Sequence, residues 1–259
     1  MKNVVITGAS SGIGFETAKI FLDEGNKVYC LSRRPCELEN AINIKCDITD
    51  EQQVIDAFKQ IPKIDVLINN AGYGISGATE FTELKEMREQ FELNLFAHIT
   101  VTKAALPKLK ESKGKIIFIS SAAAPFPIPF QSFYSASKAA VETVSSALKN
   151  ELKMFGVDVS CVRLGDTKTA FTAEREKSFK GDDVYEGLIG RSVAVMERDE
   201  QNGMPPSAIA KAIVKLSKKR KMPPIITVGL QYQFLCILKN IVPYSIVNEI
   251  IGMMYMPKK

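Results

Sequence analysis

The sequence predicts an α/β protein: a doubly wound parallel sheet in a single domain, with helices on both faces and a helical C-terminal tail. Three observations lead there. Apolar runs rich in Val and Ile alternate with stretches of helical apolar spacing from the first residue to about residue 165. A glycine-rich turn, Thr7-Gly8-Ala9-Ser10-Ser11-Gly12-Ile13-Gly14, follows the first of those runs. The chain has 259 residues, 46% apolar and 24% charged, which suits one such unit and excludes wholesale disorder.

The elements follow in order. KNVVIT (2–7) reads as a strand because Val4-Val5-Ile6 is a continuous apolar run, as in strands covered on both faces. A helix is expected from Ile13 to Glu24, then strands at 26–32 (NKVYCLS) and 42–47 (INIKCD). A helix at 50–60 precedes the strand DVLINN (65–70), and a long helical region runs to about Leu109. KIIFISS (115–121) is the next strand, then a helix from about Ser132 to Phe155, then VDVSCVRL (157–164). Residues 170–204 are polar and charged with helical spacing only in parts, and are expected to form a substrate loop. Pro205, Pro206 and Ser207 open a helix over 206–221, and Met222-Pro223-Pro224 closes it. IITV (225–228) is the last strand. Beyond it, Phe234, Leu235, Leu238, Ile241 and Val242 share one helical face. After Pro243 the spacing resumes at Ile246, Val247, Ile250, Ile251 and Met254. The expected organisation is a dinucleotide-binding and catalytic domain over 1–229 and two short amphipathic helices over 230–259.

Charge and cysteine content narrow the function classes. Lys and Arg outnumber Asp and Glu by 34 to 29, a bias too mild to argue for nucleic acid. The five cysteines form no CxxC pair and no zinc spacing, so free thiols, no metal and a reducing compartment are expected. Met1 leads straight into a strand, with no secretory leader pattern, and a cytoplasmic protein is expected. No apolar stretch is long enough to span a bilayer. The single histidine, His98, lacks partners at ligand spacing and is expected to be packed or on a helix surface.

Two constellations carry chemistry. Glycines at a strand-to-helix turn let the backbone approach a pyrophosphate at a helix N-terminus, where unpaired N–H groups face the anion. That makes Gly8, Ser10, Ser11, Gly12, Ile13 and Gly14 the candidate phosphate cradle. The second strand ends at Ser32-Arg33, where an acidic residue would accept from a ribose 2′-hydroxyl and repel a 2′-phosphate. A hydroxyl and a guanidinium favour NADP over NAD instead. In Tyr134-Ser135-Ala136-Ser137-Lys138, the i, i+4 spacing puts Tyr134 and Lys138 on one helix face. The ammonium is expected to pull the phenol down from its free pKa of ~10, as a general acid/base exchanging a proton with an alcohol or ketone requires. Ser121 ends a strand thirteen residues earlier, and alternation sends it and Ser120 to opposite faces.

The turn TGASSGIG, the segment Asn69-Asn70-Ala71-Gly72, Asn94, Ser121 and YSASK together resemble the short-chain dehydrogenase/reductase family in its compact form. The likeness covers residues 1 to about 165 and implies a Rossmann-type sheet. It implies that Tyr134 exchanges the proton, that Lys138 lowers its pKa and binds the nicotinamide ribose, and that Ser121 orients the carbonyl. It also implies that Asn94 holds a water relaying protons to Lys138. Asp47 and Ile48 would face the adenine, and Asn70, Ala71 and Gly72 would line the cofactor. Leu164-Gly165 stands where the family has Pro-Gly, and Thr167 takes the position that meets the nicotinamide carboxamide; Gly165 and Thr169 still fit.

The expected function is NADP(H)-dependent hydride transfer to or from a secondary alcohol or ketone. The apolar tail and Pro125-Phe126-Pro127-Ile128-Pro129-Phe130 suggest a bulky lipophilic substrate such as a steroid, retinoid or lipid ketone. The alternatives are a 3-oxoacyl thioester reductase and a non-catalytic NADP-binding sensor or scaffold. The resemblance implies a homodimer or homotetramer. Basic residues Lys215, Lys218, Lys219, Arg220 and Lys221 before the tail leave a peripheral membrane contact open beside packing over the cleft or an oligomer contact.

Overall fold

The structure is a computed structural model and describes residues 1–257. Its centre is a seven-stranded parallel sheet. The strands in it are β1 (Asn3–Thr7), β2 (Lys27–Ser32), β3 (Ile42–Lys45), β4 (Val66–Asn69), β6 (Lys115–Ser121), β7 (Asp158–Leu164) and β9 (Ile225–Val228). Their order is β3-β2-β1-β4-β6-β7-β9. From β1 the chain winds outward through β2 and β3, then crosses to β4 and winds the other way. That reversal leaves a crevice outside the carboxyl ends of β1 and β4, where ligands of such sheets bind.

Alternation along the strands splits the core into two layers. Val4 and Ile6 face α1 (Gly12–Asp23) and α8 (Pro206–Lys218), packing with Phe21, Ile209 and Ile213. Val5 faces α2 (Glu51–Lys59), α4 (Ala97–Ser112) and α5 (Ser132–Glu151), with Phe58, Val101, Ala105 and Val141. Each fully buried side chain of this kind contributes roughly 1.5–3 kcal/mol. Local signals set several helix starts: the Asp50 side chain accepts from the Gln53 N–H at 3.0 Å, and Pro206 occupies the first turn of α8.

Most expected elements end within two residues of their observed bounds, and four depart further. The helical region before Leu109 is not one helix. After α3 (Leu84–Phe91) comes a π-turn over Glu92–Phe96, in which the Ala97 N–H reaches the Glu92 carbonyl. Helix α5 gives way at Leu152 to a short 3₁₀ turn, and α8 stops at Lys218 rather than 221. The polar stretch 170–204 holds a short α6 (Phe171–Glu174) and a full helix, α7 (Leu188–Gln201), that buries Ile189, Val193 and Met196. A two-stranded parallel ribbon of β5 (Ile75–Ser76) and β8 (Glu176–Lys177) ties that stretch to the segment after β4.

The tail forms α9 (Leu230–Lys239) and α10 (Tyr244–Tyr255), as the spacing predicts. Only Val247 and Ile251 of these helices are buried. All five cysteines are free, and four of them are buried. Among the described residues no helix is long and apolar enough to cross a membrane.

Candidate active site

The glycine turn is held by tight backbone packing. Gly8 sits at φ +66°, and a Cβ on it would come within 2.9 Å of the Ala71 Cα. A Cβ on Gly14 would fall 2.4 Å from the Gly8 carbonyl oxygen, so only hydrogen fits there. Ser11 precedes α1 without a side-chain capping bond, so the first-turn N–H groups keep their donor capacity for an anion. Asn70 locks the turn to β4: its Nδ2 donates to the Thr7 and Gly8 carbonyls at 3.0 and 3.2 Å. The Thr7 hydroxyl accepts from the Asn70 and Ala71 N–H groups at 3.0 and 3.1 Å.

From this turn a cleft of about 1500 Å³ runs in two directions. One arm passes Ser10, Ser32, Arg33, Asp47 and Ile48. Here Ser32 donates to the Arg34 carbonyl at 2.5 Å, and Arg34 pairs with Glu174 at 2.9 Å across the cleft. Arg33 is exposed and makes no ion pair with a described residue. Asp47 accepts from the N–H and hydroxyl of Thr49 at 3.1 and 2.7 Å.

The other arm leads over Ala71 and Gly72 to Ser121, Tyr134 and Lys138. Strand β6 delivers Ser121 at its end, and the first turns of α5 deliver the other two. Ser120 turns the opposite way, bonding the Glu142 carboxylate at 3.0 Å. Ser121 hydrogen-bonds the Tyr134 phenol, and Lys138 Nζ lies 5.7 Å from the phenol ring centroid. Burial pushes the phenol up to about 12, outweighing the Ser121 hydrogen bond. The expected lowering of Tyr134 by Lys138 is therefore overridden. Lys138 is itself drawn down to about 8 by burial, and donates to the Ile119 carbonyl at 3.1 Å.

Asn94 commits its side chain to protein partners. In the π-turn its side chain accepts from the Tyr73 N–H at 3.1 Å and donates to the Tyr73 carbonyl and Ser137 hydroxyl. Both amide hydrogens are spent, so a water relay would have to start from the main chain of this turn. His98 is fully buried, its Nε2 2.7 Å from the Ala71 carbonyl. Burial and the charge of Lys138 bring it down to about 3, so it packs as a neutral ring that donates to Ala71.

Beyond β7, Thr167 Oγ1 donates to the Gly165 carbonyl at 2.9 Å. Thr169 packs against Gly12, 3.6 Å from where a Cβ would be, which brings this loop over the glycine turn. Sequence reasoning did not find the groups that frame the site from afar. Phe171 packs tilted against Tyr134, with ring centroids 5.6 Å apart. Behind it the fully buried Arg175 pairs with Glu200, which also accepts from Thr172 at 2.7 Å. Tyr232 of α9 reaches Asp166. All these partners are far apart in sequence, and no local pattern announces them. The tail walls the cleft with Phe234, Leu235, Leu238, Val247 and Ile251.

A turn only glycine can form, an uncapped helix N-terminus and a cleft running from Arg33 to Lys138 fit a nicotinamide dinucleotide. A sequence model of the short chain dehydrogenase family matches residues 2–179. The chain is 40% identical over 233 residues to a 3-ketodihydrosphingosine reductase of Bacteroides thetaiotaomicron, covering 86% of each chain. It is 32% identical over 232 residues to an NADPH-dependent 3-dehydrocapnine reductase of Ornithobacterium rhinotracheale, covering 81% of this chain and 82% of the other. A short-chain dehydrogenase from Streptomyces avermitilis superposes with a TM-score of 0.83 at 28% identity, over 97% of this chain and 95% of that one. The chain belongs to the short-chain dehydrogenase/reductase family, oxidoreductases that act on alcohol and ketone groups with a nicotinamide cofactor.

Proposed function

We propose that the protein is an NADPH-dependent reductase of long-chain ketones, with Tyr134 as proton donor. The observation that carries this reading is the continuity of the catalytic arm with the apolar wall formed by α9 and α10. An alkyl chain laid along Phe234, Leu235 and Leu238 would bring its keto group under Ser121 and Tyr134. The names of two relatives support this reading: one is a 3-ketodihydrosphingosine reductase and the other an NADPH-dependent 3-dehydrocapnine reductase.

When bound, the nicotinamide supplies the hydride. A phenol raised to about 12 is fully protonated at neutral pH, as the donor to a ketone oxygen must be. Ser121 orients that oxygen. Lys138, mostly ammonium at pH 7, stabilises the phenolate left behind and reaches towards the nicotinamide ribose. The turn Gly8–Gly14 takes the pyrophosphate, and Asn70 holds the turn in shape. Arg33, which makes no ion pair with a described residue, takes the 2′-phosphate and favours NADPH. Asp47 and Ile48 flank the adenine. Residues 1–229 act as the catalytic unit, with 230–259 as its cover, and the family likeness favours a homodimer or homotetramer.

The 3-oxoacyl thioester reading is weaker because an acidic carrier would meet Glu89, Glu92, Glu174, Glu176 and Asp199 along the cleft. A scaffold would have no use for the Ser121, Tyr134 and Lys138 set. The test is NADPH and NADH oxidation with a 3-keto long-chain base, a 3-oxoacyl thioester and a steroid ketone. The expected result is fastest turnover of the long-chain base with NADPH. Preference for the thioester would overturn the substrate assignment.

A further inference from the structure

The peptide Gly165–Thr167 leaves β7 at the catalytic end of the cleft and is gripped from two sides. On one side is Tyr232, from the C-terminal tail. The Asp166 N–H donates to its phenolic oxygen at 3.0 Å, and its hydroxyl donates to the Asp166 carboxylate. Its ring covers Gly165 so closely that a Cβ there would lie 1.9 Å from a ring carbon. On the other side is the end of α7. A Cβ on Gly203 would fall 2.3 Å from the Asp166 carbonyl carbon, and the Met204 N–H donates to the Asp166 carbonyl at 2.9 Å. The Lys168 N–H returns to the Met204 carbonyl at 2.9 Å. Two gripping surfaces, more than sixty and about forty residues away in sequence, thus fix three residues of backbone.

We propose that Tyr232 is a positioning residue for the nicotinamide end of the cofactor, acting through the backbone of Gly165–Thr167. The proposal rests on the reductase reading above and on the family likeness, which implies that Thr167 meets the nicotinamide carboxamide. It gives the tail two separable duties. The apolar face of α9 contacts only long substrates, whereas the Tyr232 hydroxyl serves every substrate, because it acts on the cofactor's seat. It also gives a physical reason for Leu164-Gly165-Asp166. Gly165 makes room for the Tyr232 ring, and Asp166 supplies both a donor and an acceptor to its hydroxyl.

The test compares wild type, Tyr232→Phe and Ile237→Gln. Phe keeps the ring over Gly165 but cannot accept from the Asp166 N–H or donate to its carboxylate. Ile237 is on the same helix, exposed and away from the cleft, so its variant controls for general loosening of the tail. NADPH affinity is read by fluorescence titration, and kcat and ketone KM are read with a small and a long-chain ketone. Losing these bonds is expected to weaken NADPH by roughly 5- to 30-fold in Tyr232→Phe. Its kcat should fall for both ketones while ketone KM stays put, and Ile237→Gln should match wild type throughout. If Tyr232→Phe fails to fold, Asp166→Ala removes the carboxylate that accepts from the Tyr232 hydroxyl, leaves the backbone bond in place, and should weaken NADPH in the same direction. Wild-type NADPH affinity in the folded variant, or an equal loss in Ile237→Gln, would overturn the proposal while leaving the reductase reading intact. A wild-type protein that binds neither NADPH nor NADH would remove that reading and the proposal with it.

Discussion

Gly14→Ala tests the glycine turn by adding one methyl group. The new Cβ would lie 2.4 Å from the Gly8 carbonyl oxygen and 2.6 Å from Asn70 Nδ2, both closer than any Cβ contact can be. Neither neighbour is a flexible chain end. The carbonyl belongs to the turn itself, and Nδ2 is held by the Thr7 and Gly8 carbonyls. Overpacking of this kind costs about 1–3 kcal/mol. Displacing Asn70 from two hydrogen bonds adds about 1–3 kcal/mol. Alanine's better helix propensity returns about 1 kcal/mol, because Gly14 lies inside α1. The expected net loss is about 1–5 kcal/mol, read as a lower urea midpoint at unchanged slope. NADPH affinity should fall with it, since the distorted backbone is the proposed pyrophosphate seat. Gly252→Ala in α10 is the internal control. A Cβ there meets nothing within 4 Å, so the change should be neutral or stabilising by up to about 1 kcal/mol. A Gly14→Ala protein with wild-type midpoint and NADPH affinity would refute the reasoning.

Three further outcomes are expected. Arg33→Ala should weaken NADPH well beyond NADH, and Ser32→Asp should push the same way by repelling the 2′-phosphate; equal losses in titrations with the two cofactors would make Arg33 an ordinary loop residue. Because Lys138 is held near 8, its ammonium is present below that pH and lost above it. The kcat of ketone reduction should therefore fall as pH rises through about 8, and Lys138→Arg should abolish that limb in the pH–rate profile even if overall activity is low. Arg175→Met should destabilise the fold by roughly 3–5 kcal/mol in denaturant titration, because Glu200 is left buried and unpaired, and the double variant with Glu200→Leu should recover most of the loss.

Where structure is local, the sequence was readable. The strands are continuous apolar runs, the glycine turn is contiguous, and Tyr134 and Lys138 share a helix face by spacing alone. Ser121 was separable from Ser120 because strand alternation is strict. The unread parts depend on contacts distant in the chain. Helix α7 buries only four residues among charges that pair elsewhere, Lys177 with Glu197 and Arg175 with Glu200, so its apolar stripe looks thin. The π-turn at Asn94 adds one residue to a helical turn and leaves no hydrophobic signature. The pairing of Tyr232 with Asp166 spans 66 residues. The phenol's upward shift reflects how deeply the folded chain covers Tyr134, whereas the spacing to Lys138 speaks only of a charge nearby.

The most direct measurement of the catalytic assignment is turnover by Tyr134→Phe, with NADPH and a 3-keto long-chain base, beside a fluorescence titration of NADPH. Phenylalanine keeps the ring against Phe171 and removes the only group assigned to protonate the ketone oxygen. Turnover should drop by roughly 10²- to 10⁴-fold while NADPH affinity stays close to wild type. A variant that reduces the ketone at near wild-type rate in a chemistry-limited assay would contradict the role given to Tyr134.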